Sequence, residues 1–537
     1  MAVVCVMALA ACGGNDDGGD TSDEPSSSGG AETATPVSGG TLTFALESET
    51  TGGYCIAEAQ LAVSGISVHN AVFDPLFAFD EDIVPQPYLA ESSTPNADFT
   101  TFTIKLRPGI TFHDGSALDA EVVKLNLDTE RGEPAAVAKT NRRPLLGPVV
   151  LSNIASVDVV DDLTVNVNMK TPWVAFPTYM ASGRFGIAAE AQLMSPECAD
   201  LLIGTGPFTL TSWQRNQEMV LERNPNYWRT DAEGRQLPYL DELVFKPIEN
   251  GVDRYQALQA GTVNAGQWID QGTIDRLESG EDDLHLVSEG AGYRELSSLL
   301  TNVSKPPLDD AEVRRHVSMA IDRQALNDVG HNGGREPANQ PFDSEVMGYR
   351  EDAPDAEYDP ETAAEFFAGK DLTVEMVSTI DPTTKAITED VARQLEAVGV
   401  TVIVNIEDQS TAINRALSGG FNLTLARNYP GQDPDSNYVW WHSGQPTNFG
   451  RIDDPDLDAA LDAGRTGTDP EARRAAYEDV GRILTDEHYV LWNWYDEWGI
   501  GATDEVHQVG YYTLPDGSTG AGLSWGWTYW TEVWVDG

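Results

Sequence analysis

Residues Ile104–Gly115 read IKLRPGITFHDG. Apolar and polar residues alternate over Thr101–Leu106, which predicts a half-buried strand. Pro108-Gly109 predicts a turn after that strand. His113-Asp114-Gly115 predicts a second, polar turn, and Asp119 then suits the cap of a helix. We interpret His113 as a structural residue of this turn and not as a metal ligand.

Strand and helix patterns alternate along the rest of the 537-residue chain. A helical stripe over Val391–Val398 ends at Gly399, and the apolar run Val400–Val404 then predicts a strand. Asp469 suits the cap of another helix, with Pro470 at its first position. No internal repeat is evident. We therefore predict mixed α/β lobes that interleave along one chain, and not a string of separate domains.

Several sequence blocks stand in one order around the first stretch. Each is weak evidence alone, whereas the ordered set is specific, and LRPGITFHDG is its strongest member. Together they resemble the bacterial extracellular solute-binding proteins of family 5, over residues 39–500. The other blocks are Gly39-Gly40-Thr41-Leu42, Phe73-Asp74-Pro75-Leu76, Pro87–Ser92, Gly204–Phe208, Arg223–Trp228, Ala257–Gly261, Val313–Arg323 and Tyr358–Glu361.

The resemblance implies a bilobed α/β fold of the type II periplasmic-binding-protein kind, with an extra subdomain inserted in the first lobe. It places lobe I at 39–290 and 506–537, lobe II at 291–505 and the insertion at 80–200. The lobes would close around a ligand by a hinge motion. The protein would then be the substrate-binding component of an ABC importer. It would act as a monomer, pass a small-molecule or peptide ligand to a membrane permease, and catalyse no reaction.

The beginning of the chain predicts export and lipid attachment. Leu9-Ala10-Ala11-Cys12 follows an apolar run that is too short to span a bilayer, which is typical of a bacterial lipoprotein signal. We predict a signal peptide at 1–11 and a lipid on the sulfur of Cys12. Residues 12–38 are rich in Gly, Ser and Asp and predict a disordered tether. The folded part would lie on the outer face of the cytoplasmic membrane, in a periplasmic or extracellular setting.

Composition excludes two classes of partner. The formal net charge is −53, and nucleic-acid binding needs clustered Lys and Arg, so we expect no nucleic acid. The chain has eight His with no His-x-His or His-x-x-x-His pair, so we predict no directly bound metal and no cofactor.

Four cysteines are present. Cys5 would leave with the signal peptide, and Cys12 would carry the lipid. Cys55 and Cys198 then remain in an oxidising compartment, which favours a disulfide between them. Two buried free thiols are the alternative.

The resemblance also suggests where a ligand amine would bind. Many peptide binders of this family hold the α-amino group of the ligand with an Asp of lobe II, and the nearest matching stretch is Asn428–Asn437. Asp433 and Asp435 are the candidates for this charge-assisted hydrogen bond. The composition Asp-Pro-Asp-Ser-Asn suits equally a turn that both carboxylates only shape.

Aromatic side chains are the other expected part of the site, because ligand pockets are mainly apolar with a few polar anchors. The candidates are Tyr429, Tyr54, Trp440 and Trp494, and each also suits a position in the core. The Trp-rich C-terminal segment, which includes Trp525, is predicted to pack within lobe I.

Other functions stay open as alternatives. The ligand could be an oligosaccharide, an opine or a metal chelate instead of a peptide, and the protein could be a ligand-sensing surface lipoprotein coupled to signalling. Gly522–Gly526 matches the Gly-x-Ser-x-Gly elbow of serine hydrolases. The elbow needs a preceding strand and a later His, and no His follows Ser524, so a hydrolase is not favoured.

Overall fold

The computed structural model describes residues 35–536 except residues 51, 60, 281–282, 290–293 and 430. The predicted signal peptide, the lipid site Cys12 and most of the predicted tether lie outside the described residues. No helix within the described part is long and apolar enough to cross a membrane.

The strands and helices alternate along the described chain. The strands are β1 (Thr41–Leu46), β2 (Phe77–Phe79), β3 (Pro85–Pro87), β4 (Ala90–Pro95), β5 (Thr101–Leu106), β6 (Ile154–Asp161), β7 (Thr164–Met169), β8 (Phe208–Gln214), β9 (Glu218–Arg223), β10 (Glu242–Pro247), β11 (Ala265–Trp268), β12 (Leu284–Ser288), β13 (Glu295–Thr301), β14 (Thr373–Thr379), β15 (Thr401–Glu407), β16 (Leu423–Asn428), β17 (Val490–Asp496), β18 (Gly499–Thr503), β19 (Val506–His507) and β20 (Trp534–Val535). The helices are α1 (Val63–Val72), α2 (Ala120–Glu130), α3 (Pro134–Thr140), α4 (Gly147–Val150), α5 (Phe176–Met180), α6 (Glu190–Met194), α7 (Gly251–Gln259), α8 (Gln271–Glu278), α9 (Ala311–Met319), α10 (Arg323–His331), α11 (Pro360–Phe367), α12 (Pro382–Ala397), α13 (Gln409–Ser418), α14 (Tyr438–Trp441), α15 (Pro455–Thr466) and α16 (Pro470–Asp486).

The first large sheet has seven strands in the order β12-β18-β11-β1-β10-β9-β8. β1 pairs in parallel with β10 and β11, and the outer strands pair antiparallel. Phe44 of β1 packs into a cluster that includes Ile66 of α1. Ala45, on the other face, packs with Leu258 of α7 and Leu277 of α8. Both faces are therefore covered, as a sheet with parallel central strands requires.

The second large sheet has five strands in the order β15-β14-β16-β13-β17. β14 pairs in parallel with β15 and β16, while β13 pairs antiparallel with β16 and β17. The predicted helix-then-strand step is confirmed here, because α12 ends at Ala397, Gly399 has a φ of +93°, and β15 starts at Thr401. A positive φ is where Gly replaces other residues at little cost.

A four-stranded antiparallel sheet, β4-β5-β7-β6, forms a separate layer between β1 and β8 in the sequence. β5 spans Thr101–Leu106 and buries alternate residues, which confirms the predicted strand. Asp119 caps α2 by accepting a hydrogen bond of 3.0 Å from the Val122 amide. We call the seven- and four-stranded sheets with their helices lobe I, and the five-stranded sheet with its helices lobe II.

The sequence blocks of lobe I meet in buried polar networks. His113 hydrogen-bonds to the Gly206 carbonyl through Nε2 at 2.9 Å, and its Nδ1 accepts from the Gly204 amide at 3.3 Å. Asp74 accepts hydrogen bonds of 2.9 Å from both Thr205 Oγ1 and Trp228 Nε1. Burial raises the pKa of Asp74 to about 6, although the hydrogen bonds from Thr205 and Trp228 lower it. The blocks therefore hold lobe I together, and His113 has the structural environment that its turn predicts.

The chain passes between the lobes twice. It leaves the first sheet after Ser288 and enters the second at Glu295, and it returns between Asp496 and Gly499. The second crossing lies earlier than the expected lobe II boundary at 505. The reason is that the glycine-rich strand β18 inserts between β11 and β12 of the first sheet. A disulfide joins Cys55 to Cys198 within lobe I, with their Cα atoms 5.0 Å apart.

Candidate ligand-binding cleft

An aromatic pair links the two lobes across the space between them, which we call the cleft. Tyr429 follows β16 in lobe II, and Trp525 lies in the C-terminal segment that packs in lobe I. Their rings are nearly parallel, at 9°, with centroids 5.3 Å apart. Gln432 donates a hydrogen bond to the Tyr429 hydroxyl, and its amide nitrogen lies 3.5 Å from Ser524 Oγ. We call Tyr429 and Trp525 the aromatic wall.

Arg184 approaches the aromatic wall from lobe I. Its guanidinium carbon lies 4.7 Å from the centroid of the Trp525 ring. Its Nε is buried without a hydrogen-bond partner, and no carboxylate of the described chain lies within 4 Å. Burial lowers the pKa of Arg184 to about 10, although Glu295 attracts the charge. Arg184 is therefore a charged group at the cleft with no counter-ion in contact among the described residues.

Arg427 approaches from lobe II, where it belongs to β16. Its Nη1 lies 3.6 Å from Glu295 Oε2, which is an ion pair but too long for a good hydrogen bond. The guanidinium carbon lies 6.0 Å from the Trp498 ring centroid. Burial lowers the pKa of Arg427, but the fields of Glu295 and Glu47 outweigh burial and raise it overall. Its side chain nevertheless stays 43% exposed, so it faces accessible space inside the cleft.

Glu47 supplies the opposite charge from lobe I. It follows the last residue of β1, at the carboxyl end of the central strand of the first sheet. Its carboxylate makes neither a hydrogen bond nor an ion pair to any residue that the structure describes. Burial raises the pKa of Glu47, and the attraction of Arg427 and Arg254 only partly opposes this. The cleft thus presents unsatisfied groups of both signs.

Two carboxylates fasten the crossing segments beside the cleft. Glu289 accepts hydrogen bonds from the Trp498 amide at 2.8 Å and from the Gly526 amide at 3.2 Å. Glu295 accepts from Trp498 Nε1 at 3.2 Å. Burial raises the pKa of Glu289 well above its ordinary value. These bonds tie the aromatic wall to both crossings, because Gly526 is adjacent to Trp525.

The two predicted amine anchors are engaged elsewhere. Asp433 forms two contacts to Arg473 Nη2, at 2.7 and 2.9 Å, and caps the 3-10 helix Pro434–Asn437. Asp435 is fully buried, pairs with Arg465 at 2.7 Å and accepts from Trp173 Nε1 of lobe I at 2.6 Å. A ligand-binding role for either carboxylate stays a prediction, and their present partners favour the turn-shaping alternative.

The predicted aromatic candidates separate into two groups. Tyr429 lies at the cleft. Tyr54 is 2% exposed in the core of lobe I, and Trp494 is 1% exposed in the core of lobe II. Trp440 packs partly buried against a second core of lobe II and contacts Phe449 edge to face. The structure therefore brings one of the four to the aromatic wall.

The sequence analysis missed the charged residues of the cleft and, although it placed Trp525 correctly in lobe I, it missed the contact of Trp525 with Tyr429. Glu47, Arg184 and Arg427 lie in no motif, and their neighbours in sequence carry no pattern that distinguishes them. The signal that could have found Trp525 is its glycine-rich setting, Gly522–Gly526. Such a segment is typical of a loop and not of a packed element.

Comparisons with known proteins agree with this architecture. The model for "Bacterial extracellular solute-binding proteins, family 5 Middle" matches residues 84–450. The glutathione-binding protein GsiB of Pectobacterium atrosepticum is 26% identical over 469 residues, which cover 84% of this chain and 87% of that protein. GsiB of Escherichia coli K12 is 30% identical over 274 residues, which cover 51% of this chain and 50% of the relative.

Solved structures share the whole fold. DppA of Helicobacter pylori, in complex with the peptide STSA, superposes with a TM-score of 0.80 at 19% identity and covers 93% of this chain and 99% of its own. AppA of Bacillus subtilis, in complex with a nonapeptide, has a TM-score of 0.78 at 20% identity, with 94% and 100% covered. AgaA of A. tumefaciens R10, in complex with agropinic acid, has a TM-score of 0.79 at 22% identity, with 93% and 99% covered.

These likenesses confirm the bilobed type II periplasmic-binding-protein fold. The relatives are binding proteins and not enzymes. The matched protein family acts outside the cytoplasm and supplies the substrate-binding component of ABC importers. This chain belongs to that family, the bacterial extracellular solute-binding proteins of family 5.

Proposed function

We propose that this importer component captures a short peptide or peptide-like solute in the cleft and releases it, chemically unaltered, to the permease. The observation that carries this proposal is the aromatic wall with Arg184 beside Trp525, together with Glu47 and Arg427, because none of the three charges has a hydrogen-bonded counter-charge among the described residues. A peptide offers an ammonium group, a carboxylate and an apolar body, which match these three features. The glutathione-binding relatives and the peptide-bound neighbours support the same ligand class.

Glu47 is the group best placed to receive a ligand amine. Its carboxylate is unpaired in the described chain, whereas Asp433 and Asp435 already neutralise arginines. A carboxylate in a closed cleft binds an ammonium by a charge-assisted hydrogen bond, which is stronger than a neutral one. Asp433 and Asp435 remain the second choice for this role.

The test begins with native mass spectrometry of protein purified from its own host, which weighs any trapped ligand. Calorimetry then compares glutathione, tripeptides and their N-acetylated forms. We expect the wild type to prefer free amines, and Glu47→Gln to remove that preference with about a 10-fold loss of affinity. Asp433→Asn tests the second candidate and should keep the preference for free amines. Equal affinity of the wild type for free and acetylated peptides would remove the amine role.

Three further results would distinguish the alternative functions from peptide binding. A trapped oligosaccharide, opine or metal chelate would replace the peptide assignment but keep the transport role. Turnover of a bound ester or peptide would contradict the proposal that the protein only binds. Loss of ligand-dependent signalling, with uptake intact, in a deletion strain would favour a sensing lipoprotein.

We also propose that Cys12 carries the lipid and that the protein acts as a monomer. The support is the small-residue run that ends at Cys12, after an apolar segment. Cys12→Ser should release the protein from the membrane fraction and abolish labelling by a radioactive fatty acid. Light scattering of the purified protein should give the mass of one chain. A variant that stayed membrane-bound would show that another part of the chain anchors it.

A further inference from the structure

Arg184 and Arg427 differ from the buried arginines of this chain in how their guanidinium groups are satisfied. Elsewhere each buried guanidinium donates hydrogen bonds to carbonyls or carboxylates, as do Arg229, Arg254, Arg294, Arg323, Arg465 and Arg473. Arg184 and Arg427 donate none to any residue that the structure describes. Buried polar groups in native proteins are nearly always hydrogen-bonded, so the buried Nε of Arg184 needs an explanation, and Arg427, which is 43% exposed, keeps donors available for a further partner.

The backbone next to Arg184 and the ring of Trp525 both restrict where the Arg184 side chain can lie. The preceding Gly183 has a φ of +75°, and a Cβ there would lie 2.9 Å from the Trp527 ring and 3.0 Å from Ile66. The backbone is therefore locked against the core of lobe I directly before the arginine. Trp525 then supports the guanidinium through a cation–π contact of 4.7 Å.

One carboxylate cannot satisfy both guanidinium groups. Glu295 is 5% exposed, already accepts from Trp498 Nε1, and meets Arg427 only at 3.6 Å. Its attraction also reaches Arg184, although without contact. Holding the Nε of Arg184 away from water without a hydrogen-bond partner costs free energy, which an arriving anion would recover.

We propose that Arg184 of lobe I and Arg427 of lobe II together bind a carboxylate of the ligand, so that the protein selects peptide-like solutes with a free carboxylate. The proposal rests on the function proposed above. An anion between the two arginines also draws lobe I and lobe II together, because each lobe contributes one guanidinium. Glu47, whose charge influences Arg427, would receive the positive end of the ligand. A zwitterion matches charges of both signs, whereas a neutral sugar could hydrogen-bond to these groups but would not neutralise them.

The experiment uses two tripeptide libraries, one with free C-termini and one with C-terminal amides, and native mass spectrometry of the full chain. We expect the wild type to retain free acids at least 10-fold more than amides. Arg184→Gln and Arg427→Gln should each lower this preference by about 10- to 100-fold, whereas Arg184→Lys, which keeps the charge, should lower it less. Arg393→Gln, at an arginine that is 68% exposed, is the control and should change nothing. Thermal unfolding of each unliganded variant checks that it is folded.

The outcomes distinguish the inference from the proposed function. Amidated peptides that bind only when they contain Asp or Glu would show that the carboxylate comes from a side chain, which still supports the arginine site. Equal retention of acids and amides would overturn the arginine site and leave peptide binding intact. An unchanged preference for free acids in both Arg184→Gln and Arg427→Gln would also overturn the arginine site and leave peptide binding intact. Retention of neither library would overturn the proposed function, and the arginine site with it.

Discussion

Glu130 ends α2 with its carboxyl group buried, at 5% exposure, and its Oε2 has no hydrogen-bond partner. Burial raises the pKa of Glu130 from 4.5 to about 8. Between these values the unfolded chain has lost the proton that the native protein keeps. The unfolded state therefore gains stability relative to the native state as the pH rises, by up to about 1.4 kcal/mol per pH unit.

Glu130→Gln should remove this pH dependence, because glutamine has a similar shape and does not titrate. We expect the free energy of unfolding of the wild type to fall from pH 5 to pH 8 more steeply than that of the variant. Urea unfolding at four pH values over this range measures both slopes. Glu121→Gln changes an exposed glutamate of the same helix and should keep the wild-type slope. Parallel slopes for Glu130→Gln and the wild type would contradict the prediction.

Gly183 is the second residue whose local environment has a measurable consequence. Gly183→Ala places a Cβ at a φ of +75° and within 3.0 Å of Trp527 and Ile66. Gly109→Ala has a similar φ of +81° but no atom within 4 Å, so it measures the backbone cost alone, about 1–2 kcal/mol. We expect Gly183→Ala to lose about 1–3 kcal/mol more by urea unfolding, and to weaken ligand binding by displacing Arg184. Equal losses would show that the core yields to the added carbon.

Elements formed by local interactions were predictable from the sequence. The alternation over Thr101–Leu106 gave β5, and Asp469 with Pro470 gave the start of α16, where Asp469 accepts from the Ala472 amide at 2.9 Å. Asp-Pro-Asp-Ser-Asn gave the turn at Pro434–Asn437. Each signal depends on residues at most five positions apart, so it can be recognised without knowledge of the rest of the fold.

Asp435, in the turn Pro434–Asn437 of lobe II, also links the two lobes, because it accepts a hydrogen bond from Trp173 of lobe I. Asp435→Ala would leave Arg465, which is only 6% exposed, without its partner, and would remove the acceptor of Trp173 Nε1. We expect a loss of about 3–5 kcal/mol in the free energy of unfolding. Arg482→Gln breaks ion pairs of α16 in which the arginine is 48% exposed, and should cost less than about 1 kcal/mol. Similar losses for the two variants would show that the buried pair does not stabilise the protein.

At the scale of the whole molecule, the site depends on residues that are remote in sequence. Glu47, Arg184 and Arg427 come from parts of the chain that lie far apart in sequence, and β1 and β16 belong to different sheets whose strand orders are not sequential. No local pattern carries that order, so the family resemblance could supply the two lobes but not the charges between them. The sequence also could not show that Asp433 and Asp435 face arginines, since Arg465 and Arg473 lie at least 30 residues away. Trp525 packs in lobe I as predicted, but its contact with Tyr429 could not be predicted for the same reason.

The aromatic wall makes closure of the two lobes testable. The Tyr429–Trp525 stack exists only while the lobes touch, and such a pair contributes about 0.5–1.5 kcal/mol beyond the area that it buries. Tyr429→Ala should therefore shift the unliganded protein towards an open arrangement and raise its radius of gyration in small-angle scattering. Affinity for a peptide that binds the wild type should fall by about 2- to 13-fold, because part of the binding free energy then closes the lobes.

Tyr358→Ala is the matched control, since Tyr358 is 52% exposed in lobe II and lies outside the cleft. It should leave both the scattering curve and the affinity unchanged. A saturating peptide should bring the Tyr429→Ala curve back to that of the liganded wild type, because the arginines of the two lobes still converge on the ligand. If Tyr429→Ala weakened binding without any change in scattering, the aromatic wall would be a ligand contact alone and would not hold the lobes together.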